Sequence, residues 1–186
     1  LTNSNSLKKH LPETMILDRA STLEMMLNKH PVIFLKPVHG SLGKGIYKIK
    51  QTPYGYESAY STLSGGIQRR FPTVKSLVSF LNKRIKKAYI IQEGINILTY
   101  AGRPIDFRIL MQKNRKGRWA VTSMVARIGA ENRIVSNIAR GGEMARVTQT
   151  LKQCGISNPA AMRTRLAQLA KKVAQVIDQE QKGTFG

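Results

Sequence analysis

The sequence is poor in cysteine, in acidic residues and in long apolar runs, and each shortage excludes a class of protein. Its 186 residues include one cysteine, Cys154, which excludes an internal disulfide framework and a cysteine-based zinc site and indicates a reducing, cytoplasmic setting. No apolar run approaches the roughly 18 residues that a membrane span needs, so no membrane partner is expected. The start, LTNSNSLKKH, has neither an apolar secretory core nor an initiator methionine, which suggests a piece of a longer protein without a leader.

Acidic residues are outnumbered by basic ones throughout the chain. There are 31 Lys and Arg against 10 Asp and Glu, a formal net charge of +21, within an otherwise ordinary globular composition. Such a charge favours anionic partners, namely nucleic acid, phosphate-bearing ligands or a membrane surface. No acid occurs between Ser58 and Gln92, and a second basic stretch follows Phe107. A solvated basic face explains these clusters equally well, so charge alone leaves a nucleic-acid binder and an enzyme of phosphorylated substrates open.

The apolar periodicity predicts an α+β fold with mostly antiparallel strands. One helix is predicted over residues 23–29 with Asp18 or Ser21 as its cap, a second begins after Thr73, and a third opens at Asn158 and Pro159. Strands are predicted over residues 32–36, 46–50, 88–92, 105–112 and 119–128, with a hairpin through Pro53 and a turn at residues 114–117.

A glycine-rich segment, residues 39–45, joins the first two predicted strands. Lys36 lies on the strand before it and Lys44 lies within it. Glycines let backbone N–H groups approach an anion closely, and the lysines add charge where phosphates would bind. The segment is not a Walker A loop, because Ile46 follows Gly45 where that motif requires Lys and then Ser or Thr. It therefore predicts a lid over phosphates between antiparallel strands, with a plain hairpin turn as the alternative.

Three further segments carry polar groups at predicted strand ends. Residues 92–95, Gln-Glu-Gly-Ile, end a strand where an adenine ring could pair with backbone groups. Asp106 and Arg108 share one strand face, which suits an anion site with its orienting partner, although a surface ion pair fits as well. Further along, a strand and the loop after it place cationic and amide groups beside paired glycines, namely Arg127, Ser136, Asn137, Arg140, Gly141 and Gly142.

Taken in order, these segments resemble the ATP-grasp fold, and most nearly the YheC/YheD family of endospore-coat-associated proteins, over residues 15–186. The stretch over residues 106–142 is also similar to the glutamate ligases that modify a ribosomal protein. The resemblance implies two α+β lobes with antiparallel sheets that hold ATP in a cleft between them. Residues 1–94 would form the first lobe with its lid and a short leading arm. Residues 95–186 would form the second lobe, truncated before the metal-binding segment.

The resemblance also assigns roles to single residues. Lys36 would contact the α and β phosphates, the lid would close over the β and γ phosphates, and residues 92–95 would form a hinge around adenine. Arg108 and Arg127 would be catalytic, facing the phosphates and the acyl-phosphate. The implied cofactor-binding residues are Lys36, Gly40, Ser41, Gly43, Lys44, Gly45, Gln92, Glu93, Ile95 and Asn137.

The implied chemistry is ATP-dependent ligation of a carboxylate to an amine. ATP phosphorylates the carboxylate and the amine then displaces phosphate, a transfer that preorganised cations assist. The family holds its Mg²⁺ on an Asp and a later Glu-x-Asn, which we expect beyond residue 186. No metal ligand is therefore assigned, Asp178 and Glu180 are expected to be solvated, and the chain by itself is expected not to turn over ATP. Spore-coat proteins are the implied partners, and the carboxylate and amine substrates are not specified.

An alternative is a non-catalytic basic protein that binds nucleic acid or spore-coat components. Tyr54, Tyr56 and Tyr60 share one parity on a predicted strand and would form a row on which bases could stack. Against this alternative, Lys36 and Arg108 lie beside glycines or strand ends, as a nucleotide cleft requires. Nucleic acid is therefore expected to bind only non-specifically.

The basic surface around the second predicted helix provides a test of these alternatives. Its bases are Arg69, Arg70, Lys83, Lys86 and Lys87. Because DNA binding through about six phosphate contacts releases counterions, affinity should fall by roughly 10³ or more between about 50 and 200 mM salt. Binding of an ATP analogue should weaken less, since partly buried charges are screened less. DNA affinity that stayed nanomolar at high salt and discriminated sequences, with no ATP binding, would favour the binding-protein alternative.

Overall fold

A computed structural model describes residues 5–40, 44–61, 66–129 and 142–180. These residues form two compact units, each built on one antiparallel sheet. The first unit spans Pro12–Asn96, and the second contains the residues from Ile97 onward together with those before Pro12. The α+β class and the predominance of antiparallel pairing confirm the predicted fold class.

The described helices and strands follow one another in a fixed order. They are α1 (Asn5–Lys8), β1 (Thr14–Ile16), α2 (Ala20–Lys29), β2 (Val32–Pro37), β3 (Tyr47–Thr52), β4 (Gly55–Ser61), β5 (Gly66–Phe71), α3 (Val74–Arg84), β6 (Tyr89–Glu93), β7 (Thr99–Tyr100), β8 (Arg103–Lys113), β9 (Trp119–Ile128), β10 (Glu143–Ala145), α4 (Val147–Gln153) and α5 (Pro159–Glu180).

The sheet of the first unit has six strands in the order β1-β6-β2-β3-β4-β5. Because side chains alternate along a strand, its two faces differ. Ile33 and Leu35 of β2 are fully buried on the face against which α2 and α3 pack, and we call this the helix face. Phe34 and Lys36 lie on the opposite side, which we call the open face. The helix face forms the core of this unit with Leu23, Met26, Leu27, Tyr47, Ile49, Leu77, Leu81 and Ile91.

The two longer helices of the first unit begin in different ways. Thr73 caps α3, as predicted. Its side chain accepts a hydrogen bond from Ser76 N, and the Ser76 side chain accepts one from Thr73 N, so the two residues form a capping box. Neither Asp18 nor Ser21 caps α2, so that prediction was wrong. The α2 helix begins at Ala20, and Asp18 Oδ1 instead accepts from Thr22 Oγ1 at 2.6 Å. The apolar stripe did not reveal these first three residues, because Ala20 and Ser21 are exposed and the buried Thr22 is polar.

The sheet of the second unit has four strands in the order β10-β9-β8-β7, and the β8–β9 hairpin dominates it. Its turn forms as predicted, with Asn114 Oδ1 accepting from Lys116 N and Arg118 N at 3.0 Å each. The pairing shifts between Leu110 and Met111, so that Thr122 of β9 has no opposite residue. Beyond this bulge, Met111 pairs with Val121.

The helix α5 opens as predicted, with Asn158 Oδ1 accepting from Ala161 N at 3.0 Å. It covers the β8–β9 hairpin over an apolar cavity of about 510 Å³, which is lined by Phe107, Ile109, Trp119, Leu169 and Val173 among others. Although α5 is 22 residues long, neither it nor any other helix within the described ranges combines the length and apolarity that crossing a bilayer requires.

Two predicted surface features are corrected by the packing. Tyr54 is 92% exposed in the β3–β4 turn, whereas Tyr56 and Tyr60 pack against the core, and the Tyr60 ring stacks on Tyr47 at 4.8 Å. The predicted row of stacking tyrosines is therefore wrong, because β4 turns its tyrosines toward α3. The short elements α1, β1, β5, β7, β10 and α4 were not predicted.

Asp178 is not the solvated carboxylate that the sequence predicted. Its Oδ1 accepts from Lys113 Nζ at 2.7 Å and its Oδ2 from Trp119 Nε1 at 3.2 Å. The side chain thus ties the last turns of α5 to both strands of the hairpin. The Glu180 side chain lies outside the described set.

We expect Asp178→Asn to lower the melting temperature near pH 7, with a deficit that disappears in acid. The hydrogen bond from Lys113, followed by that from Trp119, holds the pKa of Asp178 below its ordinary value of 3.8. A lowered pKa stabilises the fold above the ordinary value, and this stabilisation is lost as pH falls through the folded value. Thermal unfolding across that range measures the deficit. The control is Glu24→Gln, which removes an exposed carboxylate of α2. A deficit for Asp178→Asn that did not change with pH would contradict the assignment.

Candidate functional site

Lys36 lies on the open face of the six-stranded sheet at the centre of a short polar chain. Its Nζ donates to Gln92 Oε1 on β6, and Gln92 Nε2 donates to Thr14 Oγ1 on β1 at 2.8 Å. The same Nζ lies 5.6 Å from the centre of the Phe34 ring, which is opposite Gln92 in the β2–β6 register. Three neighbouring strands thus bring two of the predicted cofactor-binding side chains into contact.

The ammonium group of Lys36 is half-buried, and no carboxylate in the described part of the chain pairs with it. Burial lowers the pKa of this lysine. Removing a cation from water costs free energy unless an anion or several acceptors compensate it. Gln92 supplies one neutral acceptor for a group that carries three donors. The charge is therefore under-compensated on the open face, which is the electrostatic requirement for binding an anion there.

The hinge, residues 92–95, is held on both sides before it leaves the sheet. Glu93 N donates to Glu13 O at 2.9 Å and Gly94 N donates to Val32 O at 2.8 Å. A Cβ on Gly94 would lie 2.6 Å from Val32 Cγ1, so this position admits no side chain. Ile95, the next residue, is 55% exposed, and its backbone N–H has no acceptor within the described ranges. The hinge thus presents a free donor beside an apolar side chain.

A cluster of charged groups that the sequence did not predict lies beside the hinge. Glu13 Oε2 lies 2.6 Å from Lys29 Nζ and 2.9 Å from His30 Nε2. The hydrogen bonds from Lys29 and then from His30 lower the pKa of Glu13. On its other side His30 Nδ1 lies 3.9 Å from Glu93 Oε1, while Glu93 Oε2 accepts from Glu13 N at 3.1 Å. The Glu93 carboxylate therefore points toward β1 and His30 rather than into solvent.

The glycine-rich segment begins and ends on the helix side of the sheet. Tyr89 Oη donates to Gly45 O at 2.9 Å, and Gly40 approaches the Pro37 ring. Gly40, Lys44 and Gly45 line one pocket together with Pro37 and Tyr89. Lys36 does not line this pocket, because its side chain leaves the other face of β2. The structure therefore places Lys36 and Lys44 in different surroundings, and Ser41 and Gly43 lie outside the described residues.

In the second unit the two catalytic candidates, Arg127 and Arg108, differ in whether they have a partner. Arg127 Nε and Nη2 donate to the two carboxylate oxygens of Asp106 at 2.6 and 2.8 Å. Asp106 and Arg127 are opposite each other in the β8–β9 register, whereas Arg108 faces Val125. The orienting partner of the Asp106 carboxylate is thus Arg127, and the predicted pairing with Arg108 was wrong. Arg108 is exposed and has no partner among the residues that the structure describes.

The remaining candidates give no geometry. Asn137 and the neighbouring Ser136, Arg140 and Gly141 lie outside the described residues. Within the ranges that are described, no group of His, Cys, Asp and Glu side chains is arranged to hold a metal ion. Around Lys36 in the first unit, the described polar side chains are a cation and the Gln92 amide, a combination that suits an anionic ligand.

Comparison with known proteins places these residues in a family context. A family model described as "YheC/D like ATP-grasp" matches residues 1–186. Among curated relatives, the endospore coat-associated protein YheD of Bacillus subtilis (strain 168) is 26% identical over 138 residues, which cover 71% of this chain and 30% of the relative. The endospore coat-associated protein YheC of the same organism is 25% identical over 134 residues, covering 72% and 37%. The matches span about a third of the length of each relative.

The contact between Gly94 and Val32 predicts that Gly94→Ala destabilises the first unit. The new Cβ would lie 2.6 Å from Val32 Cγ1 and 2.8 Å from Val32 O, and the hydrogen bond from Gly94 N to that oxygen restrains the backbone. We expect a loss of about 1–3 kcal/mol in the free energy of unfolding, measured by chemical denaturation. The double substitution Val32→Ala and Gly94→Ala should lose less than the sum of its parts. Wild-type stability of Gly94→Ala would contradict this packing.

Proposed function

The chain belongs to the YheC/D-like ATP-grasp family, and from this premise we propose that it binds an adenine nucleotide on the open face of its first unit. Lys36 would contact the α and β phosphates, and the hinge would contact the adenine. The proposal rests on the half-buried Lys36 ammonium. Among the described residues, only Gln92 accepts a hydrogen bond from it. A phosphate group would supply the missing negative charge.

The hinge supports the adenine part of this proposal. Adenine needs a donor for a ring nitrogen, an acceptor for its amino group and an apolar surface for its ring. Ile95 offers a free N–H and an exposed side chain, while Phe34 and Gln92 lie nearby on the same sheet. Because Glu13 O and Val32 O accept from the backbone N–H groups of Glu93 and Gly94, little ordering of the hinge would be needed on binding.

The second unit would supply cations to the reacting phosphate. We propose that the two units are the two ATP-grasp lobes, divided near residue 94. Arg108 is exposed and has no described partner, so its guanidinium is available to an anion. Arg127 is held by Asp106 in a bidentate pair, which fixes the plane of its guanidinium and leaves one nitrogen, Nη1, outside the pair. Gly40, Ser41, Gly43, Lys44, Gly45 and Asn137 complete the proposed set.

For the whole protein we propose carboxylate–amine ligation through an acyl-phosphate. ATP would supply the phosphoryl group, and Mg²⁺ would neutralise part of its charge. The part played by this chain would be to bind the nucleotide and to place Lys36, Arg108 and Arg127 around the developing charge. Since two relatives bear the name endospore coat-associated protein, we further propose a coat-associated substrate or partner.

A titration calorimetry experiment tests nucleotide binding. A non-hydrolysable ATP analogue should bind the wild-type chain, and Lys36→Ala should weaken binding about 10- to 100-fold, because a charge-assisted contact contributes roughly 1.5–3 kcal/mol. Lys83→Ala is the matched control, since it removes the same charge from an exposed position of α3 and should change affinity by less than about twofold. Equal affinity in wild type and Lys36→Ala would remove Lys36 from the site.

If neither protein bound the analogue while both bound spore-coat extract or nucleic acid, the non-catalytic binding function would replace this proposal. The packing of Tyr56 and Tyr60 against the core argues against nucleic acid as that ligand, because it leaves no aromatic row on β4 for bases to stack on.

A further inference from the structure

A basic pocket lies in the second unit, where α4, the start of α5 and the strand β9 meet. Its volume is about 560 Å³, which is within the usual size range of small-ligand sites. Three cations line the pocket, together with a hydroxyl group and apolar side chains. They are Arg146, Lys152 and Arg163, with Thr148, Met124 and Pro159 among the others.

Helical spacing brings these side chains to one place. Thr148 and Lys152 are four positions apart on α4, and Pro159 and Arg163 are four positions apart on α5, so the members of each pair are neighbours on their helix. Leu151 of α4 is fully buried in the unit, which fixes the helix beneath its exposed side. The pocket is therefore built from two adjacent helices rather than from a single loop.

The pocket and the two candidate catalytic arginines belong to opposite faces of the second sheet. Met124 is opposite Ile109 in the β8–β9 register, and Ile109 lines the cavity under α5, so Met124 lies on the face that the helices cover. Because side chains alternate along a strand, Arg108 and Arg127 project from the other face. A ligand that contacts Met124 therefore does not occupy the position of a phosphate bound by either arginine.

No carboxylate in the described part of the chain pairs with the three cations of the pocket. The sequence has no acid between Glu143 and Asp178, a stretch that includes all of α4 and most of α5. These two acids have other partners, since Glu143 lies 2.7 Å from Arg103 and Asp178 lies 2.7 Å from Lys113. Three like charges around one cavity repel each other, and an anion between them relieves that repulsion.

The floor of the pocket differs chemically from its rim. The Met124 and Pro159 side chains are half-buried and apolar, whereas all three cations are at exposed positions. A bare inorganic anion would leave the apolar floor in contact with water, while a ligand with an organic body would cover it. The pocket thus suits a small molecule with an anionic end and a compact apolar body.

We propose that this pocket binds a small organic phosphomonoester, with its phosphate among the three cations and its organic body on Met124 and Pro159. A phosphomonoester carries about −1.5 to −2 charges at pH 7 and three acceptor oxygens, whereas a carboxylate carries one charge and two oxygens. Several cations can therefore share one phosphate, and each arginine can bind two of its oxygens. None of the residues assigned to the nucleotide takes part, so the two ligands bind independently.

Methyl NMR with phenyl phosphate as the probe tests the site. The seven methionines of the chain are labelled with ¹³C at their methyl groups, and Met124→Leu identifies the Met124 signal. At about 150 mM salt, where exposed charges are largely screened, phenyl phosphate should shift that signal saturably, because its ring would lie on the Met124 side chain. Benzoate has the same ring with a smaller anionic group, and it should bind at least about fivefold more weakly.

A pair of arginine variants separates the pocket from the general positive charge of α5. Arg163→Ala should weaken phenyl phosphate binding at least about tenfold, because it removes a charge-assisted contact. The matched control is Arg165→Ala, which removes the same charge from an exposed position of α5 that does not line the pocket. It should change affinity by less than about twofold. Both variants should keep the wild-type melting temperature, since both side chains are exposed.

Four outcomes would overturn the proposal. Equal weakening by the two arginine variants would show a diffuse basic surface, and a shift that does not saturate, or that spares Met124, would show that the pocket is not occupied. Loss of binding in Lys36→Ala or Arg108→Ala would assign phenyl phosphate to the nucleotide position, because both variants should bind it like wild type. A single-stranded oligonucleotide that displaced phenyl phosphate at a lower concentration would replace the small molecule by a polymer.

Discussion

The pairing of β2 with β6 is the contact on which the proposed nucleotide site depends. It joins residues about 56 positions apart in the sequence, as the Lys36–Gln92 bond shows. On one face the ladder places Lys36 beside Gln92, and on the other it places Pro37 against Tyr89. The strand β6 also leads into the hinge, residues 92–95. A shift of one residue in this register would move Lys36 into the apolar core, where an unpaired ammonium is strongly disfavoured, so burial of Ile33, Leu35 and Ile91 fixes the register.

Local signals in the sequence predicted the elements that local contacts stabilise. Thr73 and the Asn114 turn mark their elements because their bonds close within four residues. The strands β1 and β5 lack such a signal, since their order comes from neighbours across the sheet. The start of α2 was missed for a related reason: Ala20 and Ser21 are exposed and the buried Thr22 is polar, whereas a hydrophobic stripe marks only buried apolar positions. The ATP-grasp family, by contrast, was recognisable from the order of several weak motifs.

Within the candidate site the sequence predicted residue types better than partners. Lys36 and Gln92 were proposed for one ligand, but their mutual bond required the strand register. The Glu13–His30–Glu93 cluster had no signal at all, because it joins three segments through side chains up to 80 residues apart. Alternation correctly placed Asp106 and Arg108 on one face. It could not show that the carboxylate binds Arg127, because that depends on where the hairpin turn sets the pairing of β8 and β9. The roles of these residues toward ATP stay predictions.

The bulge at Thr122 reverses the side of the sheet on which β9 displays its odd-numbered residues. On the side of the bulge toward the end of β9, Arg127 and Val125 share the polar face with Asp106 and Arg108. On the other side, near the hairpin turn, Trp119 lines the cavity under α5. One extra residue thus lets a single strand contribute an arginine to one surface and an indole to the other. If Thr122 instead took a place in a regular ladder, Trp119 would lie on the opposite surface. Asp178 would then lose its indole donor, and the end of α5 would be tied to the hairpin by Lys113 alone.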